Sequence, residues 1–531
     1  MRSLFAFLIF FILTISIPAR DNYKRNPYVD VIHYEFSITL NDTSNMITGN
    51  AAITINFVGP VHTFEFDLKN IDTAGKGMKI RSVAFNGSMI RWSHKDNKLS
   101  ITSESTVNKG STGIITISYS GIPADGLIIS RNKYGNRTFF ADHWPDRAAN
   151  YLPTVNHPSD KATVDFIITA PSHYEVVANG YLVEESDLPN AMKLTHWKED
   201  VPLPVKVMTF GAASFAVQLA GKVDDTPVWT WVFPENRKEG FYDYSFAVKP
   251  LAFYSELIGP YAYEKLANVQ SKTIFGGLEN AGCIFYSENS VTGQGKAENL
   301  LAHEIAHQWF GNSVTEGDWH HIWLSEGFAT YLTSVYMEKS YGKEKLDESM
   351  KSARERILRS YERTPGPVID TTITDLMRLL STNSYEKGAW VLHMLRQELG
   401  DEVFWKGMKL FYKRYRDKNA LTDDFRKAME EVSNKNLEKF FYQWLYIAGQ
   451  PDLKITKEAG KKNGFFDVII EQKQNWLFTF NLDLVVKDSK GIRVMNVPVK
   501  DKITRVNFQA EQESEIIPDP DIKLLFRTVQ N

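Results

Sequence analysis

His303-Glu304-Ile305-Ala306-His307, followed after eighteen residues by Glu326 within Trp323-Leu324-Ser325-Glu326-Gly327-Phe328-Ala329, decides how this chain is read. On a helix, residues four apart share a face. His303 and His307 can therefore both address one metal ion. Catalytic Zn²⁺ commonly takes three protein ligands and leaves a fourth position for water. Two imidazoles and the Glu326 carboxylate make such a set, with one Zn²⁺ per chain. The intervening residues are enough to finish one helix, turn, and begin a second beside it. Glu304 sits about 100° around the helix from His303. That aims it at the water position and not at the metal, where a general base belongs. The pentapeptide alone would arise by chance in about one chain of this length in a hundred, and the third carboxylate ahead of an apolar helix lowers that roughly tenfold.

Outward from the motif, helical periodicity is predicted at 241–257, 297–310, 326–341, 343–361, 385–399, 401–415, 422–432 and 436–448. Thr422 or Asp423 can cap one helix, and Gly311, Gly342 and Gly400 close others. Before this helical stretch the pattern is different. Segments 31–40, 51–57, 113–119, 162–169 and 227–232 read as strands, most of them alternating polar with apolar residues, with Gly, Asn, Asp and Pro between them. A large antiparallel sheet or sandwich is the expectation there. After Gly449-Gln450-Pro451, strands return at 465–471, 476–486, 492–499 and 504–508, enough for a small antiparallel sandwich. The predicted organisation is multidomain α+β: an N-terminal β-domain at 20–222, a catalytic domain at 223–450 and a C-terminal β-sandwich domain at 451–531.

Composition narrows the partners. Lys and Arg number 61 against 64 Asp and Glu, so neither nucleic acid nor a polybasic membrane contact is expected. Arg2, an apolar run from Leu4 to Ile17, and Pro18-Ala19 read as a signal peptide over 1–19, implying export to the periplasm or medium. That run is short for a membrane helix, which needs about 20 residues, and no stable membrane insertion is expected. Cys283 is the only cysteine. It lies in an apolar run and reads as a buried thiol, which rules out internal disulfides and Cys-ligated zinc.

With these features the chain resembles the gluzincin aminopeptidases of peptidase family M1, relatives of aminopeptidase N and leukotriene hydrolase. Gly276-Gly277-Leu278-Glu279-Asn280 is similar to the family's Gly-x-Met-Glu-Asn exopeptidase motif, with Leu278 for Met. Ser384-Tyr385-Glu386-Lys387-Gly388 is similar to the segment bearing the family's catalytic tyrosine. The resemblance implies a thermolysin-like zinc-peptidase catalytic domain. It implies that Glu279 binds the free α-amine of a peptide, with Gly276, Gly277 and Asn280 beside the substrate, and that Tyr385 donates to the oxyanion. Asp142, in Asp142-His143-Trp144, falls where relatives place a second amine-binding residue. Ser325 stands where many relatives have Asn, and the long helical C-terminal domain of many relatives has no counterpart in this sequence.

The function this implies is zinc-dependent removal of N-terminal residues from peptides with a free N-terminus. Two alternatives share the fold, a zinc endopeptidase and an epoxide hydrolase. Glu279 speaks against the first. Against the second, the stretch 379–384 lacks the acid and extra tyrosine that the bifunctional leukotriene enzymes carry there. His320 and His321 fall outside any ligand spacing and read as structural. Oligomeric state is not legible in the sequence.

Overall fold

The computed structural model describes residues 21–460, 462, 464–489, 491–509 and 513–529. The expected signal segment 1–19 lies outside them.

The first strands alternate cleanly because one face must be dry. In Ile47–Phe57 every second residue from Ile47 to Phe57 is buried, the period-2 pattern of a strand with one face on a core. Val29–Thr39 pairs with it in antiparallel fashion and with Lys161–Pro171 in parallel. These strands sit at the centre of an eight-stranded sheet. A three-stranded sheet of Val61–Asp67, Lys98–Val107 and Arg91–Lys95 and a four-stranded one that includes Arg137–Ala141 and Phe210–Ala213 complete the region. Tyr34, Phe36, Ile53, Phe66, Phe166 and Tyr151 fill the shared core.

A five-stranded sheet opens the catalytic region, in the order Ala216–Val223, Thr226–Val232, Leu266–Ser271, Cys283–Ser287, Gly277–Leu278. Its first strand starts before residue 223 because Ala216–Val223 pairs along Thr226–Val232. Gly277–Leu278 is the far edge, antiparallel to Cys283–Ser287.

The expected helix at 241–257 is two helices, Arg237–Ser245 and Val248–Leu257. Pro250 supplies the reason: a residue without an N–H fits only in a first turn, so a new helix starts at Val248. Asp424, not Thr422 or Asp423, makes the cap of Thr422–Ser433, its carboxylate accepting from Leu421 N at 2.8 Å. Helix Gly388–Leu399 crosses Trp323–Tyr341 backbone to backbone. A Cβ on Gly327 would lie 2.9 Å from Gly388 Cα. That contact puts the segments carrying Glu326 and Tyr385 side by side.

The C-terminal strands form a four-stranded and a three-stranded sheet. Their inward residues Leu453, Val468 and Leu482, with Leu525 from the final loop, join one core with Phe411, Phe425 and Trp444 of the helical region. Trp476 and Leu477, expected in a strand, are exposed ahead of Phe480–Asp488. No helix among the described residues is long and apolar enough to cross a membrane.

Candidate active site

Helix Glu298–Ala306 carries His303 and Glu304, and His307 is its C-terminal cap. Glu326 lies in the first turn of Trp323–Tyr341. The three expected ligands converge. His303 Nε2 and His307 Nε2 are 3.2 Å apart. Glu326 Oε2 is 3.7 Å from the first and 3.4 Å from the second. Bonds of about 2.05 Å around a tetrahedral Zn²⁺ give ligand–ligand edges of about 3.3 Å. The triangle is the size the ion requires, and Glu326 Oε2 is buried with no hydrogen-bond donor. These residues fit a zinc ion.

The imidazole behind the site is held in the right tautomer. His307 Nδ1 faces the Phe310 carbonyl at 3.2 Å and the Ser325 hydroxyl at 3.0 Å. Donation from Nδ1 to either leaves Nε2 free as a ligand. Ser325 thus does locally what a polar residue before the glutamate is positioned to do. Burial opposes charging His307, but the neighbouring Glu326 carboxylate prevails and draws its pKa up to about 9. Burial holds His303 below its ordinary value. Burial pushes Glu304 up to about 8, opposed by His307 and assisted by Glu279 and Glu326.

Glu304 and Glu279 line the same cleft beside the edge strand. A Cβ on Gly277 would stand 2.3 Å from Glu304 Oε1, so only glycine lets this strand pass the carboxylate. A Cβ on Gly276 meets nothing within 4 Å; that position is open. Glu279 is 5 % exposed, and its Oε1 has no hydrogen-bond partner. Its backbone is pinned instead. Gln308 Nε2 and Asn312 Nδ2 donate to the Glu279 carbonyl at 3.0 and 2.5 Å. The β-domain grips the turn carrying Asn312, with Lys161 Nζ donating to the carbonyls of Asn312 and Ser313 at 3.0 and 2.8 Å. Lys206 Nζ meets Glu316 Oε1 at 2.5 Å, both side chains buried. Sequence reasoning missed Gln308, Asn312 and Lys161. The proximity of Gln308 to the zinc motif was the one available signal, since Lys161 comes from another domain.

Tyr385 lies in a π-helical turn, Asn383–Lys387, directly before Gly388–Leu399. Such turns often mark functional positions. Its ring stacks on His303 with centroids 6.0 Å apart. Burial first, then the carboxylates of Glu326, Glu279 and Glu304, raises the phenol well above its ordinary value and keeps the proton on oxygen. Glu279, His303, Glu304, His307, Glu326 and Tyr385 line one cleft.

Two expected substrate contacts are elsewhere. Asp142 is fully buried, and its carboxylate accepts from Arg147 Nη2, from Thr273 Oγ1 at 3.0 Å and from Ile274 N at 3.2 Å. It is spent on holding the loop ahead of Gly276 and does not line the cleft. Its neighbour Trp144 does, with Phe275, Leu278 and Leu380. Asn280 is also fully buried and outside the cleft lining, and neither amide atom of its side chain has a partner. Its main chain makes the turn into Cys283–Ser287, accepting from Cys283 N at 3.1 Å. His320 and His321 are structural as expected: His320 Nε2 meets the Ile373 carbonyl and His321 Nδ1 the Thr422 hydroxyl.

Two family models match this chain: the Peptidase M1 N-terminal domain over residues 31–205 and the Peptidase family M1 domain over residues 242–444. The chain belongs to peptidase family M1. Human glutamyl aminopeptidase is 24 % identical over 471 residues, which cover 83 % of this chain and 49 % of that protein. Probable aminopeptidase 2 of Sulfurisphaera tokodaii is 24 % identical over 407 residues, 73 % of this chain and 51 % of that protein. The chain spans about half the length of these relatives. The fold is that of an M1 zinc metallopeptidase from Deinococcus radiodurans, with a TM-score of 0.68 at 22 % identity, covering 80 % of this chain and 96 % of that one.

Proposed function

We propose that this M1 family member is a zinc-dependent aminopeptidase, removing single residues from peptides with a free N-terminus. The observation that carries the reading is the unpartnered Glu279 carboxylate beside the His303–His307–Glu326 triangle. Three carboxylates, Glu279, Glu304 and Glu326, crowd this buried cleft. Buried anions are unfavourable without matching cations. A divalent ion and one ammonium group supply positive charge for Glu326 and Glu279.

His303, His307 and Glu326 would hold the ion, which when bound supplies a Lewis acid for water and for the scissile carbonyl. Glu279 accepts hydrogen bonds from the peptide's α-ammonium and so fixes the distance from terminus to reacting bond. Glu304 takes a proton from the attacking water and returns it to the leaving amine. Tyr385 keeps its hydroxyl proton and donates it as a hydrogen bond to the oxygen that gains charge. The open edge of Gly277–Leu278 suits an extended peptide adding as a further strand.

The direct test compares a matched peptide pair, free and N-acetylated, in kcat/KM. The free peptide should lose its first residue and the acetylated one should stay intact. Equal cleavage of both would leave a zinc peptidase but remove the aminopeptidase assignment.

A further inference from the structure

Resting on the aminopeptidase reading above, we propose that the cleft selects peptides whose first residue is apolar and uncharged, and that Trp144, Phe275 and Leu380 form the wall receiving that side chain. This departs from what the names of the glutamyl aminopeptidase relatives suggest.

The argument begins with what remains of the cleft once its charged groups are assigned. Glu279 faces the ammonium, Glu326 the metal and Glu304 the water. The other side chains lining it are Trp144, Phe275, Leu278, Leu380 and Tyr385. No Lys or Arg lines it among the described residues. An acidic first residue would place a fourth carboxylate beside Glu279, Glu304 and Glu326, in a desolvated space with no cation to meet it. A basic one would find no acid left to pair with. Phe275 and Leu380 are half-buried in the free protein, so apolar surface remains for a substrate side chain to cover.

The wall is also fixed in place. The Trp144 ring is 2 % exposed and meets Phe275 and Trp319 edge-on, each with centroids 5.9 Å away. The Arg147 guanidinium lies over the Phe275 ring, 5.7 Å from its centroid. Arg147 donates to the Trp144 carbonyl at 2.8 Å and pairs with Asp142 and Asp125. To serve an acidic substrate it would have to leave both acids and displace an aromatic stack. Asp142 thus keeps this guanidinium engaged away from the cleft lining.

The test uses the full-length, zinc-loaded protein and aminoacyl-fluorophore substrates carrying Ala, Leu, Phe, Glu or Lys. One methylene in a hydrophobic pocket discriminates by about 10- to 200-fold. Leu or Phe should exceed Ala in kcat/KM by at least about tenfold, and should exceed Glu and Lys by at least about a hundredfold. A Glu or Lys substrate within tenfold of Leu overturns the proposal while leaving an active aminopeptidase. Inactivity on every free-amine substrate overturns the proposal together with the reading it rests on. Phe275→Ala and Trp144→Leu should each shrink the Leu-to-Ala ratio with zinc content unchanged. Phe275 is on a half-exposed loop, so its variant keeps the test open if Trp144→Leu fails to fold. Ratios unchanged in the folded variants place the side-chain subsite elsewhere and overturn the assignment.

Discussion

Glu279 and Asp142 are both buried acids, brought to neighbouring stretches of the same loop, and their surroundings are opposite. Asp142 touches Thr273 and Ile274 and is saturated by Arg147. Glu279, five residues further on, keeps an oxygen without a donor. Glu326 and Glu304 belong with Glu279, on the side of the molecule where acids face acids and imidazoles. Glu316, whose Oε1 pairs with Lys206 while its Oε2 has no partner, resembles Asp142 in having a cation beside it. On the first side, among the described residues, no lysine or arginine pairs with the acids that line the cleft. The other uses the same chemistry to lock the β-domain against the catalytic region.

If the unsatisfied side waits for a metal, metal removal has the largest effect. Dialysis against a chelator should abolish hydrolysis, and added Zn²⁺ should restore it. His307→Ala should not retain zinc by elemental analysis. Full turnover in a verified zinc-free sample would erase the distinction between the two acid groups.

Next come the groups proposed to act in the transition state. Tyr385→Phe removes one hydroxyl, and kcat should fall by about 10²–10³ with little change in KM. Glu304→Gln preserves size and leaves the ligands alone, and should cost at least about 10² in turnover at full zinc occupancy. A pure KM effect at Tyr385 would reassign it to substrate binding. Turnover within a few-fold at Glu304→Gln would mean that another group is the base.

How far these roles were legible follows from how local each one is. The metal triangle was readable because helix geometry fixes the angle between His303 and His307, and Glu326 opens the next helix. Helices 343–361 and 401–415 were readable from period and glycine stops, and they agree with Lys343–Arg363 and Asp401–Tyr415. Glu279 and Tyr385 needed the family resemblance, because a loop acid and one tyrosine among many carry no period. The surroundings of Asp142 are not legible in the sequence because its partner's geometry is tertiary. Arg147 lies five residues on in the sequence, but only the fold turns its guanidinium onto Asp142. The Lys161 clamp on Asn312 joins residues from two domains, and no local pattern encodes such a contact.

Glu279→Ala sharpens the contrast within the cleft. Truncating one member of a desolvated charge pair costs about 2–5 kcal/mol, so kcat/KM for a free-amine peptide should fall about 30-fold or more. The advantage of free over acetylated peptide should narrow with it. The fold should hold, because only an unpartnered oxygen and its stem are lost. An unchanged ratio would mean that the amine is anchored elsewhere.

The smallest expected effect on catalysis, and the sharpest test of the comparison, is Asp142→Asn. The amide keeps the shape and one acceptor oxygen for Thr273 Oγ1 and Ile274 N, but it withdraws the charge facing Arg147. Burial already works against that charge, raising the carboxyl's pKa against the pull of Arg147. Part of the loss is therefore recovered when the anion is removed, and Asp125 still pairs with the guanidinium at 3.3 Å. Stability should drop by about 1–3 kcal/mol, the scale of a buried polar group left imperfectly matched. Thermal or denaturant unfolding reads this directly. The ratio of free to acetylated peptide should stay at the wild-type value, because no oxygen of Asp142 faces the cleft. If the ratio instead collapses while the protein unfolds as wild type does, Asp142 is an amine-binding acid like Glu279, and the division between the two groups of acids is wrong.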